Sequence, residues 1–339
     1  MATTTKKAGG WGKWKALGVL GAVAFLAVET GWAGFGFAKL RSAVYPADPW
    51  LLGWVPGDTH AVVIFDPHQL QDKALGGEGS TLRSALERTR DDVKKVTGID
   101  LAFDVDKLVL TPSLVVARGR FDKKKLADKL TESHYALAEH KGETYLVRTG
   151  EDAIAAIDGS VLLYGDEAGV KAAIDAQKDD TSLGKNDQVK ARLSQMGWNH
   201  PLLVTVRIAD EKPSVREVLT GATGPRAVTA AASTLGGLDL DAVVETPSPS
   251  AGAELAKLLD EKRQAAGTLV PGAPADASAI VTEVAKKATV TADPQTGAVR
   301  AHAHLDDKQL DALAKSAKSL PLAEWYKDFR LFQLLAPSR

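Results

Sequence analysis

The chain has 339 residues, 45% of them hydrophobic, with 42 Lys+Arg against 43 Asp+Glu and no cysteine. A formal charge of −1 gives no basic excess for a nucleic-acid backbone and no acidic excess for disorder, so nucleic acid is not an expected partner. Without cysteine there is no disulfide framework, thiolate metal site, cysteine nucleophile or lipid-modified N-terminal cysteine. The near-neutral sum hides a division. Residues 1–45 carry +5, from Lys6, Lys7, Lys13, Lys15, Lys39 and Arg41 against Glu29, and the remainder carries −6.

Residues 1–44 form a basic segment around an apolar run, Ala16–Ala38, whose one charge is Glu29. As a transmembrane helix this run would span about 34 Å, enough for a bilayer core of roughly 30 Å. Five of the seven tryptophans lie in the first 54 residues, where indole rings suit the headgroup zone. Four lysines precede the run, and only Lys39 and Arg41 follow closely. The positive-inside rule then places the N-terminus in the cytoplasm and the body outside it, as in a periplasmic, single-pass membrane protein. A carboxylate in hydrocarbon is costly, so Glu29 is expected to be protonated, paired or near the interface. On helical spacing it shares a face with Gly18, Ala22, Phe25, Ala33 and Gly36, mostly small residues that would admit a second helix. The alternative is a cleaved signal peptide and a soluble body. Its core would be Ala16–Val28, and Gly31-Trp32-Ala33 or Gly36-Phe37-Ala38 would be the cleavage site. The run resumes with Gly, Trp and Phe beyond Glu29, which favours a retained anchor.

Residues 45–57, with three prolines and two tryptophans, read as a stiff linker near the surface. Beyond them a pattern recurs: a β-branched apolar run ends in an aspartate, and an amphipathic helical stretch follows at once. Asp66, Asp122, Asp166, Asp210 and Asp306 occupy these junctions. Asp is a preferred helix N-cap, because its carboxylate accepts the free N–H groups of the first turn, and five different neighbourhoods suit capping better than one active site. Asp122-x-Lys124-x-Leu126 matches Asp306-x-Lys308-x-Leu310, which suggests reuse of a strand–helix unit. Residues 134–164 read as a four-strand meander with Asp158-Gly159 as the sharpest hairpin signal, and a second hairpin is expected around DPQTG at 293–297. Long helices are expected at Thr81–Val96, Ser214–Ala231, Ala251–Ala266 and Ala277–Val284. The patternless stretch Gln177–Asn199 separates a first α+β lobe at 58–180 from a second at 198–320. The expected architecture is α+β: a two-lobed body of antiparallel sheets with packed helices, behind a transmembrane helix or signal peptide.

The chemistry-bearing side chains do not assemble into a motif. His302 and His304 alternate on one expected strand, so both would point to one face, but no third zinc ligand is indicated and an ordinary exposed face is the better reading. There is no G-x-S-x-G, H-E-x-x-H or GK[ST] signature, and the glycine-rich Gly76–Ser80 reads as a loop with Ser80 as a cap. Lys123, Lys124 and Lys125 read as a solvated helix face. No catalytic residue, cofactor-binding residue, metal ligand or cofactor is therefore assigned. Residues 321–339 are expected to form an amphipathic helix. Within Leu320–Leu335 the side chains Leu322, Trp325, Phe329 and Phe332 make one apolar stripe, with Glu324, Lys327 and Asp328 away from it. Packing of this stripe on the chain's own body is favoured over docking on a membrane or partner.

The segments VPGDTHAVVIFD, VTGIDLAFDVDKLVL with VVARGRFDKKKL, and GLDLDAVVETPSPSAGAELAKLL give the body a family likeness. It resembles the domain-of-unknown-function families of α+β repeats found behind signal peptides or anchors in bacterial envelope proteins, notably of myxobacteria. The likeness covers roughly residues 55–320. Some members of those families carry a lipid-modified cysteine, which this sequence lacks. The resemblance implies an extracytoplasmic compartment and a fold style, and supplies no catalytic residue. The expected function is that of a membrane-anchored envelope protein with a non-catalytic binding or assembly role, its partners being the membrane and a protein or second copy. The alternative is an extracytoplasmic enzyme or small-ligand binder using the junction aspartates.

Overall fold

The computed structural model describes residues 50–70, 90–91, 93–148, 152–208, 224–233, 237–264 and 275–316. The apolar run Ala16–Ala38, Asp210 and the stripe within Leu320–Leu335 lie outside the described residues. Among the described residues no helix is long and apolar enough to cross a membrane.

The first elements in chain order are β1 (Ala61–Phe65), α1 (Pro67–Leu70), β2 (Val105–Leu110), β3 (Leu114–Gly119) and α2 (Lys123–Glu132). The meander β4 (Ala136–His140), β5 (Glu143–Val147), β6 (Ala153–Ile157) and β7 (Val161–Gly165) follows, then α3 (Glu167–Lys178) and α4 (Asp187–Met196). The chain continues through β8 (Leu202–Arg207), β9 (Ala227–Ser233), β10 (Leu238–Glu245), α5 (Pro249–Gln264) and α6 (Ala275–Lys287). It closes with β11 (Thr289–Ala292), β12 (Val299–Leu305) and α7 (Asp307–Ser316). This is an α+β fold built on one large antiparallel sheet. Its twelve strands run in the order β11-β12-β10-β9-β8-β1-β2-β3-β7-β6-β5-β4.

Read outward from the central β1–β8 pair, the two sides follow the same plan. Three consecutive strands are laid side by side, and the returning strands are added beyond them in reverse order, β7 then β6 on one side and β12 then β11 on the other. The β4–β5 hairpin extends the first side alone. By position Asp166, after β7, corresponds to Asp306, after β12. The short sequence match between the Asp122 and Asp306 segments therefore joins places that the topology keeps apart.

Local chemistry accounts for the turns. Asp158 and Gly159 both have positive φ, 43° and 78°, and so do Lys141 and Gly142, at 47° and 79°. That pattern is the hairpin turn whose twist matches that of the flanking strands. Register sorts the side chains into two faces, because directly paired residues share a face. On one face Val62, Ile64, Val109, Val116, Leu163 and Leu203 join a core closed by α3, through Val170 and Ile174, and by α4, through Val189 and Leu193. On the other face Leu108, Val115, Ala117, Ile154 and Tyr164 form a second core under α2, which contributes Leu126 and Leu130.

Three expectations change. Leu51–Trp54, inside the stretch read as a surface linker, is a 3-10 turn with Leu51, Leu52 and Trp54 buried. Val55 accepts a hydrogen bond from Leu183 N at 2.7 Å, and Pro56 bridges to Ser182. Trp54 thus serves the core and not a headgroup zone. The end of the expected helix Ser214–Ala231 is strand β9, paired on both sides, where tertiary pairing overrides the helical preference of an alanine-rich run. Inside the patternless stretch Gln177–Asn199, helix α4 buries Val189 and Leu193 and is capped by Asn186, which accepts from Gln188 N and Val189 N. Its apolar stripe is too narrow to register as periodicity.

Candidate functional site

The junction aspartates were the sequence's candidates for chemistry, and the structure places each described one at the start of its own helix. Asp122 Oδ1 accepts Lys125 N at 3.0 Å, and Asp166 Oδ1 accepts Gly169 N at 2.7 Å. Asp306 Oδ1 accepts Gln309 N at 2.8 Å, while Gln309 Oε1 accepts Asp306 N at 3.0 Å, a reciprocal capping box. Asp66 Oδ1 accepts His68 N at 2.9 Å. The four are also spread out. β1, β3 and β12 run the same way and β7 the opposite way, so Asp166 sits at the other end of the sheet. β1 and β12 are four strands apart, about 19 Å at the usual strand spacing.

Asp66 has a second role that the sequence did not announce. Its Oδ2 accepts from Lys107 Nζ, and the two side chains are 0% and 1% exposed. His68 is equally buried, with Nε2 2.7 Å from Val105 O. A β-bulge between Val105 and Lys107 re-aims β2 at this point. The one legible sign was a lysine in the strand DVDKLVL on the side that alternation assigns to the core.

Two further carboxylates are buried and structural. Tyr135 Oη donates to Asp152 Oδ2 at 2.6 Å, and Arg148 lies 3.1 Å from Asp152 Oδ1. Burial first, then the nearby Asp152, keeps the Tyr164 hydroxyl protonated far above the ordinary tyrosine range. Burial opposes ionisation of Asp100, yet hydrogen bonds from Arg90 at 2.7 Å and Lys94 at 2.8 Å outweigh it and hold its pKa low.

His302 and His304 do share one face, each opposite an aspartate of β10. The imidazoles bond Asp241 at 2.9 Å and Asp239 at 2.7 Å, following the Asp241↔His302 and Asp239↔His304 register. Among the described residues no three such side chains come together as a metal site.

On the opposite face of the same strands lies an apolar groove of about 500 Å³. Its floor is laid by Leu202 and Val204 of β8, Ala230 and Ala232 of β9, Leu240 and Ala242 of β10, and Ala301 and Ala303 of β12. These fall on one face because Leu240 is paired with both Ala232 and Ala303, and Ala242 with both Ala230 and Ala301. Helix α5 supplies a wall through Leu259 and Lys262, and α6 with the residue that follows it through Ala285 and Ala288. Arg263 ties the two helices together by donating to Lys286 O at 2.8 Å. On the first side of the sheet the same face carries Leu108, Leu146 and Tyr164 and is closed by α2, whereas the second side has alanines, and Leu240 is 41% exposed. The volume lies within the roughly 300–1,000 Å³ of ligand sites, and the lining is almost wholly apolar. Such a surface can hold an apolar side chain or chain segment. Sequence reading missed it, although the alternating alanines of AVTAAAS and VRAHAHL were its signal.

No protein-family model matches the sequence, and no curated protein matches it. A solved structure titled "Structure of crystal form I of TP0453" is similar over 78% of this chain and 96% of that one, at 7% identity and a TM-score of 0.44. A likeness of that size carries no argument about function.

Proposed function

We propose that this is a membrane-anchored extracytoplasmic envelope protein with a non-catalytic binding role, and that its binding surface is the apolar groove between β8–β10, β12 and helices α5 and α6. The occupant it fits is the apolar stripe of an amphipathic helix. The groove carries this reading: its alanine floor leaves depth for bulky side chains, and its α5 wall offers the cation of Lys262 to an acidic flank. Aromatic side chains favour such a seat, since each buries about 150–250 Å². The described junction aspartates each cap a helix, which removes support from the enzyme reading. The stretches 58–180 and 198–320 act as the two lobes of the body, in the style of the envelope families that the sequence resembles. The +5 segment with Ala16–Ala38 supports an anchor that leaves the −6 body outside the cytoplasm. A small-residue face around Glu29 gives that anchor a place to assemble with a second helix.

Intact-mass measurement of the native protein, with carbonate extraction and protease treatment of spheroplasts, tests the anchored reading. A full-length chain that resists extraction and loses its body to external protease is expected. A mass corresponding to cleavage after Ala33 or Ala38 would replace the anchor by a soluble, exported body.

A further inference from the structure

We propose that the helix seated in the groove is the chain's own stretch 320–335, bound in cis with Leu322, Trp325, Phe329 and Phe332 against the alanine floor. This rests on the reading of the groove as a seat for an amphipathic helix, and adds that the protein carries its own occupant. A partner helix must then displace it, so the cis segment regulates binding.

Three observations point to it. The first is reach. Helix α7 packs on α6, and its Gln309 side chain meets Glu283, only two residues before Ala285 in the groove wall. α7 has ten residues and is about 15 Å long, so its last residue, Ser316, cannot lie much farther than that from the wall. Residues 317–321 add up to about 17 Å of reach, comparable with the length of α7, so Leu322 can return to the groove where α7 runs back along α6. The second is fit. Three aromatic rings and a leucine on one helical stripe need a floor without bulk, and Ala230, Ala232, Ala242, Ala301 and Ala303 provide one. The third is charge. On helical spacing Asp328 and Glu324 line one edge of the stripe, and Lys262 on the α5 wall has no ion pair among the described residues.

The absence of cysteine makes the test direct in the full chain. Leu240→Cys combined with Phe329→Cys is expected to form a disulfide within one chain under mild oxidation, since seating brings the two side chains within bonding range. Asp239→Cys with Phe329→Cys, which puts the first thiol on the opposite face, is expected not to. Ala242→Cys with Phe332→Cys is a second pair, should the first disturb folding. A disulfide between two chains would overturn seating in cis while keeping the groove as a helix site. If neither pair links, the alkylation rate of the single Leu240→Cys thiol separates the failures. A slow rate that Trp325→Asp/Phe329→Asp leaves unchanged assigns the groove to another occupant and overturns cis seating. A fast rate in the unmodified tail background shows an open groove, which overturns cis seating and leaves the groove to the helix of a partner. Cis seating predicts that Trp325→Asp/Phe329→Asp raises the rate about tenfold or more, the change expected on removing a cover closed nine-tenths of the time.

Discussion

Replacing Lys107 with methionine takes the cation out of an ion pair in which neither side chain is more than 1% exposed, and strands the carboxylate of Asp66 in the core. Asp66 keeps the His68 N–H, so the α1 cap survives and the loss is electrostatic. Removing one member of a buried pair typically costs about 3–5 kcal/mol, because the other charge stays desolvated. For a body of this size each kcal/mol moves the melting temperature by roughly 2–4 °C, so Lys107→Met should lower it by roughly 6–20 °C. Asp66→Asn keeps an acceptor for His68 N and abandons the Lys107 ammonium instead, so a loss of the same order is expected. The double variant Asp66→Asn/Lys107→Met removes both charges and should recover most of the loss, since apolar replacement of a whole buried pair is commonly neutral or better. The assay is thermal unfolding of the full chain in mild detergent, with near- and far-ultraviolet circular dichroism compared for coincidence. Additive losses in the double variant would refute the coupling, as would single variants that melt within about 3 °C of the parent.

The caps make a contrasting prediction. Asp122→Ala, Asp166→Ala and Asp306→Ala should each cost about 0.5–2 kcal/mol in urea unfolding, and a common functional loss without any loss of stability would refute the capping account. Stability should also respond to pH at both extremes. Asp100 has a depressed pKa in the fold, so its contribution is present above its ordinary value of 3.8 and lost as the pH falls below it. The raised pKa of Tyr164 gives a contribution present below its ordinary value of 10.0 and lost as the pH rises above it. Urea midpoints across pH, with Tyr164→Phe flattening the alkaline limb, check the second of these. Glu29→Leu removes the one charge in Ala16–Ala38 and should make the protein harder to extract from membranes, with equal extraction of both forms counting against a retained anchor.

What could be read beforehand was the chemistry that acts over short stretches. Asp158-Gly159 announced its hairpin because few residues tolerate positive φ, and the aspartates announced caps because a carboxylate before a helical pattern has one local use. Features decided by distant partners stayed hidden. The strand β9 has a helix-forming composition and is a strand only because β8 and β10 pair with it. Helix α4 presents a narrow stripe and becomes evident only against the sheet it covers. Lys107 and Asp66 are 41 residues apart, and nothing in either segment names the other. The groove was invisible for a related reason: each alanine is unremarkable alone, and the concavity exists only where three strands place theirs side by side.

The β1–β8 seam has a consequence for assembly. An antiparallel pair is symmetric about its own two-fold axis, and here Val63 faces Val204 while Ala61↔Val206 and Phe65↔Leu202 flank that point. Each side of the sheet thus offers its first strand to the other as one subunit of an isologous dimer would. The single chain has the architecture of a dimer made permanent by covalent linkage, with the stretch 166–201 as the connection. A two-fold operation closes on itself after one use. Among the described residues the two edges are β4, of five residues, and β11, of four, and neither presents the apolar strand that each side offers at the seam.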